Sequence, residues 1–175
     1  GTPEFGYAVE GAKWSPEGRR VALRKMDRRG VPTIPVVRWG EPGSPVERRP
    51  YSRAGEPIPR PELHVVDRET GEGTRIDLGD GDAPYVHVAG WRGDGDALYV
   101  LRMTRLMDRL ELLEADQETG VTRILLSETS ETFIGGLPFL NGYAEELDAK
   151  NHVAFLGDGE GFVWTSERDG WRRLY

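Results

Sequence analysis

The amino-acid sequence predicts an all-β fold: part of a β-propeller, with about two complete four-stranded antiparallel blades and most of a third. A strand–turn–strand pattern occurs three times in the 175 residues, and a second hairpin pattern follows its first two copies. Apolar and polar residues also alternate with period two in stretches such as Tyr85–Ala89, which favours strands over helices. Repeats of this kind indicate sheets that bury their faces against one another.

The first pattern joins an apolar strand end that carries an aromatic residue, a tight turn with an acid and glycine, and a second strand. Its copies begin at Ala12, Ala89 and Val153. The aromatic residues Trp14, Trp91 and Phe155 stand at equivalent positions, so we expect all three to pack in the core.

The second pattern leads from Leu63–Asp67 through Glu69-Thr70-Gly71 to Thr74–Ile76, and its other copy contains Asp116 and Gly120. Asp67 and Asp116 are 49 residues apart, close to the roughly 40–50 residues of one propeller blade. Each full repeat therefore has four strands, while the third copy supplies only three. The expected total is 11 strands.

Two segments are ambiguous or interrupt the repeat. The run Leu101–Ala115 fits two strands with a turn near Met107-Asp108, although some of its apolar residues also fit one helix face; the repeat favours the strands. Insertions at about 28–62 and 127–152 stretch the spacing, and such insertions lie in loops on one face, where function concentrates. The proline-rich part, 32–61, is interpreted as an ordered arm or linker with polyproline character, with Trp39 and Tyr51 as candidates for exposed contacts.

Composition excludes several classes of function. The formal net charge of −7 is opposite to what a phosphate-neutralising nucleic-acid binder needs. No run approaches the roughly 18 apolar residues of a membrane helix, and the absence of cysteine excludes disulfides and thiolate zinc sites. Gly1-Thr2-Pro3-Glu4-Phe5 is interpreted as a vector-derived remnant, so the propeller section is expected to occupy 6–175.

Four stretches, in order, carry a more specific resemblance: Trp14–Ala22, Tyr51–Pro59, Arg109–Leu113 and Thr165–Tyr175. Together they resemble the N-terminal region of dipeptidyl peptidase IV-type serine peptidases of the prolyl oligopeptidase family. Ser52, Ile58 and Arg173 depart from the family pattern, which puts a local loop conformation in question and not the family.

The resemblance implies part of an eight-bladed propeller that caps a C-terminal α/β-hydrolase domain and shapes access for the peptide substrate. It implies catalytic Ser, Asp and His beyond Tyr175, an arm that can contact a second subunit in a homodimer, and a periplasmic, secreted or membrane-anchored parent. None of the six serines stands in a Gly-x-Ser-x-Gly elbow, so the residues themselves indicate no catalytic site in this chain.

Candidate site residues are few. Glu145 and Glu146 are weak candidates for a clamp on a substrate amino group, because the family uses a glutamate pair for this purpose. The family's pair precedes the Trp-Ser-Pro-x-Gly stretch, however, which favours a solvated loop here. Asp77, Asp80 and Asp82 lack the spacing of a calcium loop and are interpreted as a turn.

No metal site or cofactor is expected. His64, His87 and His152 lie far apart in the sequence without ligand spacing, and His64 and His87 are expected on strands that face solvent or a neighbouring blade. The sequence therefore predicts a non-catalytic propeller fragment of a serine-type dipeptidyl peptidase that contributes scaffold, substrate gating and dimer contacts. The alternative is a peptide- or protein-binding propeller module with no attached hydrolase.

Overall fold

The computed structural model describes residues 7–79, 83–135, 152–157 and 161–175. These residues form antiparallel sheets: two four-stranded blades, a three-stranded third sheet and a separate two-stranded hairpin. The strands are β1 (Tyr7–Trp14), β2 (Arg20–Asp27), β3 (Thr33–Val37), β4 (Val46–Pro50), β5 (Arg60–Asp67), β6 (Gly73–Ile76), β7 (Tyr85–Trp91), β8 (Ala97–Met103), β9 (Arg109–Asp116), β10 (Thr122–Thr129), β11 (Val153–Phe155), β12 (Phe162–Ser166) and β13 (Arg173–Leu174).

The all-β propeller section is confirmed. Blade 1 has the strand order β1-β2-β5-β6, blade 2 consists of β7 to β10 in sequence order, and blade 3 supplies β11-β12-β13. Leu101–Ala115 contains two strands, with Met107 at a positive φ of 58° in the turn between them.

The strand count differs from the expected 11, because the described residues hold 13 strands. The two additional strands, β3 and β4, form a hairpin inside the first insertion. Thr33–Val37 pairs with Val46–Pro50 in register, so the polyproline interpretation is wrong for this part of the arm. Each strand contains a single proline, Pro35 in β3 and Pro50 in β4. Edge strands tolerate proline, although it cannot donate a hydrogen bond to the ladder.

The tight turns repeat between blades as the glycine and acid patterns indicate. Asp67 accepts hydrogen bonds from the backbone N–H groups of Glu69 and Thr70, at 2.8 and 3.2 Å. Asp116 does the same in blade 2, with the N–H groups of Glu118 and Thr119 at 3.0 and 2.8 Å. A short acidic side chain thus holds each turn by local hydrogen bonds, and the following glycine adopts positive φ.

Blade 2 is buried on both faces. On β8, Leu98 and Val100 join a core shared with blade 1, while Tyr99 and Leu101 join a core shared with blade 3. Alternate side chains of a strand point to opposite faces, so a strand covered on both sides is apolar without interruption. The two cores make the three blades one continuous stack.

The repeated aromatic residues pack on the blade that precedes their own. The Trp91 indole N–H donates to the Lys13 carbonyl of blade 1 at 3.1 Å, and Phe155 stacks on Tyr99 of blade 2 with ring centroids 4.0 Å apart. The core prediction is confirmed for Trp91 and Phe155, which pack against the two cores.

The core prediction is wrong for Trp14, whose side chain is 55% exposed. Trp14 lies opposite Val21, and the next residue, Ala22, points into the core shared with blade 2. Trp14 therefore lies on the other face of blade 1. The described residues provide no blade on that side for the indole to contact.

Replacing Gly120 and Gly71 by alanine separates the cost of positive φ from the cost of contact between blades. Both glycines close equivalent turns, with φ of 75° and 73°. A methyl group on Gly120 would collide with the Arg75 carbonyl of blade 1, whereas one on Gly71 would meet no described atom within 4 Å. We expect Gly71→Ala to cost about 1–2 kcal/mol and Gly120→Ala to cost about 1–3 kcal/mol more, measured by urea unfolding. Equal losses would contradict the contact.

Leu101 and Leu106 provide the same substitution in two environments. Leu101 is fully buried between blades 2 and 3, and Leu106 is 76% exposed in the β8–β9 turn. We expect Leu101→Ala to lower the free energy of unfolding by about 2–5 kcal/mol, while Leu106→Ala stays within about 0.5 kcal/mol of the parent chain. A small loss at Leu101 would mean that blade 3 does not cover this face.

Candidate functional site: the insertion face

The two ends of the strands differ in how the chain connects them. One end carries the tight turns β1–β2, β5–β6, β7–β8 and β9–β10. The other end, here the insertion face, carries the arm between β2 and β5, the β8–β9 turn and the connections between blades. Because antiparallel neighbours alternate in direction, both insertions of the sequence begin and end on this face. Loops elaborated on one face of a rigid scaffold are the usual location of function.

The arm, residues 28–59, projects a hairpin from the insertion face. Strands β3 and β4 pair only with each other. The base of the arm is fixed by a hydrogen bond from the Tyr51 N–H to the Pro32 carbonyl, at 2.8 Å, and by one from Arg105 of blade 2 to the Glu56 carbonyl, at 2.6 Å. The arm is therefore an ordered structure tied to two blades.

The hairpin exposes apolar side chains between charged ones. Trp39, Val46 and Tyr51 are 82%, 63% and 56% exposed, which agrees with the prediction for Trp39 and Tyr51. Glu47 accepts from Arg38 at 2.8 Å and from Arg49 at 3.0 Å. Hydrogen bonds from Arg49 and Arg38 lower the pKa of the Glu47 carboxyl. An isolated two-stranded hairpin is marginally stable in water, so this surface gains from a partner that covers it.

A depression of about 640 Å³ lies beside the base of the arm and is here named the arm-base pocket. Four segments meet there: the insertion-face ends of β2, β5 and β6, the arm, the described residues 78–79 and 83–84 that flank β6 and β7, and the β8–β9 turn. Its described lining residues are Asp27, Pro57, Ile58, Arg60, Pro61, Glu62, Arg75, Leu78, Gly79, Ala83, Pro84 and Arg105. Its three arginines, Arg60, Arg75 and Arg105, could not be recognised as neighbours from the sequence, because they come from three separate elements.

A second depression, of about 390 Å³, lies between blades 2 and 3 on the same face. The Trp164 indole N–H donates to the Glu128 carboxylate at 2.6 Å, and Arg168 lies 3.8 Å from the same carboxylate. Ser166 accepts a hydrogen bond from the Arg168 guanidinium at 3.0 Å. The polar groups of this depression are engaged with one another across the blade boundary.

Only some of the residues considered from sequence lie in the part of the chain that the structure describes, and the three histidines among them do not form one site. Glu145, Glu146, Asp80 and Asp82 lie outside the described residues, as do 1–5 and 136–151. His64 is half-buried at 3.2 Å from Glu62, whereas His87 and His152 are buried in different blades. In the part of the chain that the structure describes, no group of three or more histidine and acidic side chains could hold a metal ion.

Comparison with known proteins decides the family. The model of the dipeptidyl peptidase IV N-terminal region matches residues 1–175. The chain belongs to this family. A curated relative, venom dipeptidyl peptidase 4 of Apis mellifera, is 26% identical over 151 residues, which cover 77% of this chain and 19% of the relative.

Solved structures show the same fold for this dipeptidyl peptidase IV N-terminal region. A Bacteroides ovatus protein assigned as a dipeptidyl aminopeptidase IV matches with a TM-score of 0.75 and 22% identity, over 97% of this chain and 24% of its own. Porphyromonas gingivalis dipeptidyl peptidase 4 matches with a TM-score of 0.75 and 20% identity, over 95% of this chain and 22% of its own. The chain thus spans between a fifth and a quarter of these proteins. Its described residues contain no helix long and apolar enough to cross a bilayer.

The opposite end of this N-terminal region is held by local ion pairs that respond to acid. The Arg19 guanidinium donates to Asp67 at 2.8 Å, and this hydrogen bond, with those from Glu69 and Thr70, lowers the pKa of Asp67 to about 2. A carboxylate whose pKa is lower in the folded state stabilises the fold above its unfolded pKa, near 3.8, and loses this contribution as the pH falls toward 2.

We therefore expect Asp67→Asn to flatten the dependence of unfolding free energy on pH between about 4 and 2. Asparagine keeps an oxygen that can accept from Glu69 and Thr70 but loses the ion pair with Arg19. The measurement is urea unfolding at several pH values, with Glu72→Gln in the same turn as the control for net charge. An unchanged slope for Asp67→Asn would show that the Arg19 pair does not lower this pKa.

Proposed function

We propose that this chain is the non-catalytic propeller part of a serine-type dipeptidyl peptidase that removes N-terminal dipeptides from peptides. The match of the dipeptidyl peptidase IV family model to residues 1–175 carries the proposal. The names of the curated and structural relatives, which are dipeptidyl peptidases, support it. In this proposal the chemistry belongs to a hydrolase domain elsewhere in the parent protein.

The chain contributes a scaffold and shapes access to the substrate. We place the hydrolase domain and the peptide on the insertion face, because the arm projects from this face and is tied there to two blades. The opposite face consists of short turns whose acids bond to their own backbone and to neighbouring arginines.

Activity tests the proposal directly. Hydrolysis of a chromogenic X-Pro dipeptide substrate is compared between this chain and a longer form that extends to the parent's natural end. We expect activity only in the longer form. Activity of the 175-residue chain alone would overturn the proposal, and inactivity of both would favour a binding propeller without a hydrolase.

The arm is proposed to contact a second subunit through its exposed aromatic residues. Aromatic side chains bury large areas at little entropic cost, and they dominate the energetics of many interfaces. Trp39 and Tyr51 project from a hairpin that no other described strand covers.

Combined Trp39→Ala and Tyr51→Ala substitution should weaken a homodimer of the longer form at least tenfold, measured by analytical ultracentrifugation over a concentration series. Because both side chains are mainly exposed, the fold should remain intact. Trp171→Ala, at a position 74% exposed in blade 3, is the matched control. Equal dimerisation of all three proteins would exclude the arm as the contact.

A further inference from the structure

Blades 1 and 3 each present a mainly apolar face on the side that points away from blade 2. On blade 1 this face, here named the leading face, consists of side chains on β1, β2 and β5: Val9, Trp14, Val21, Leu23, His64 and Val66. On blade 3 the trailing face consists of Ala154 on β11, Val163 on β12 and Leu174 on β13. Trp14 is 55% exposed and Leu174 is 72% exposed, so both faces are accessible.

The leading face is the counterpart of the face of blade 2 that packs on blade 1. Trp14 lies opposite Val21 in blade 1, as Trp91 lies opposite Leu98 in blade 2. Leu98 is fully buried in the core that blades 1 and 2 share. Val21 therefore occupies a position that a neighbouring blade covers elsewhere in this chain.

The two faces also carry equivalent ion pairs. Lys25 lies opposite Glu62 on blade 1, as Arg102 lies opposite Glu111 on blade 2. The side chains of the Lys25–Glu62 pair are 35% and 29% exposed, whereas those of the Arg102–Glu111 pair are 12% and 8% exposed. The blade 1 pair has the position of an ion pair between blades, with less cover than its counterpart.

The trailing face is the counterpart of faces that a following blade buries. Leu174 lies opposite Thr165, as Leu112 lies opposite Leu101 in blade 2, and Leu63 has the same position in blade 1. Leu63 and Leu112 have no exposed surface, because they lie in the cores shared with blades 2 and 3. The exposed Leu174 thus marks a third surface of the kind on which a blade packs.

Two contacts inside the chain show how a leading face meets a trailing face. The Trp91 indole N–H donates to the Lys13 carbonyl of blade 1 at 3.1 Å. Phe155, at the same position of blade 3, stacks on Tyr99 of blade 2 with ring centroids 4.0 Å apart. In both cases the aromatic residue of one blade packs on the blade before it.

The same register can join two copies of the chain. Trp14 is the aromatic residue at this position in blade 1. On blade 3, Ala154 corresponds to Lys13 and lies opposite Val163, which corresponds to Tyr99. A second copy whose blade 3 lies against blade 1 in this register brings its Val163 under the Trp14 indole and its Ala154 carbonyl to the indole N–H.

We propose that copies of this chain associate head to tail, with the leading face of one copy packed on the trailing face of the next. A second copy is the occupant because the chain itself carries both complementary faces, and burial of their apolar side chains drives the contact. A contact between two different faces is heterologous, so it ends in a closed ring or continues as an open chain. Two copies with three blades each supply six, and closed propellers have about four to eight.

The test is sedimentation velocity of this chain over a concentration series. We expect self-association that Trp14→Ala and Leu174→Glu each weaken by about tenfold or more, because each substitution removes one side of the contact. The matched controls are Trp39→Ala on the arm and Leu106→Glu in the β8–β9 turn, at positions that are 82% and 76% exposed. They should change the association constant by less than about twofold.

Mixing the two variants tests the direction of the contact. Trp14→Ala keeps an intact trailing face and Leu174→Glu keeps an intact leading face, so an equimolar mixture should form a one-to-one heterodimer that neither variant forms alone. Because both side chains are mainly exposed, the fold should remain intact, which urea unfolding of each variant checks.

A parent chain that stays monomeric at every concentration would overturn the proposal. A mixture that stays monomeric would overturn the head-to-tail arrangement, and an equal loss in Trp39→Ala would assign the contact to the arm instead. Because the assay needs no hydrolase domain, a failed peptidase test would leave its result unchanged.

Discussion

The structure depends on the burial of blade 2 between two neighbours. Its strand β8 is buried at six of its seven positions, and successive side chains enter different cores. Neither face of such a sheet is stable in water, because each would expose a continuous apolar surface. Blade 2 therefore requires blade 1 and blade 3 to cover its two apolar faces.

Polar contacts fix how blade 2 meets blade 1 at the edge of the apolar core. At the insertion face, Arg102 forms a buried ion pair with Glu111 and donates to the Leu78 carbonyl of blade 1. One residue earlier in the chain, the Asp77 N–H donates to the Gly120 carbonyl of the β9–β10 turn at 2.8 Å. A buried ion pair adds little net stability because desolvation offsets its attraction, but loss of one partner is costly. Its contribution is to the alignment of the blades.

Features set by local interactions could be predicted from sequence. The turns at Asp67 and Asp116 depend on contacts within four residues, and their hydrogen bonds match in both copies. Trp14 could not be placed, because its burial depends on a neighbour and not on its own strand. The β3–β4 hairpin could not be recognised because its prolines disfavour strands, and the pocket arginines are far apart in the sequence and are brought together only by the fold.

One further feature could have been found by aligning the repeats on Asp67 and Asp116. This alignment shows that Lys25–Glu62 and Arg102–Glu111 are equivalent charge pairs.

The arm shows how a hairpin with uncovered edges can avoid unspecific strand pairing. An uncovered strand edge promotes unspecific pairing, and charged side chains on the edge oppose it. Arg38, Glu47 and Arg49 supply such charges on β4 and its flank, which leaves Trp39 and Tyr51 as the main apolar anchors. A hairpin with a few aromatic anchors buries less area than a stable dimer needs, about 1,200–2,000 Å² in total. The homodimer proposed above therefore requires contacts from other parts of the parent protein besides the arm.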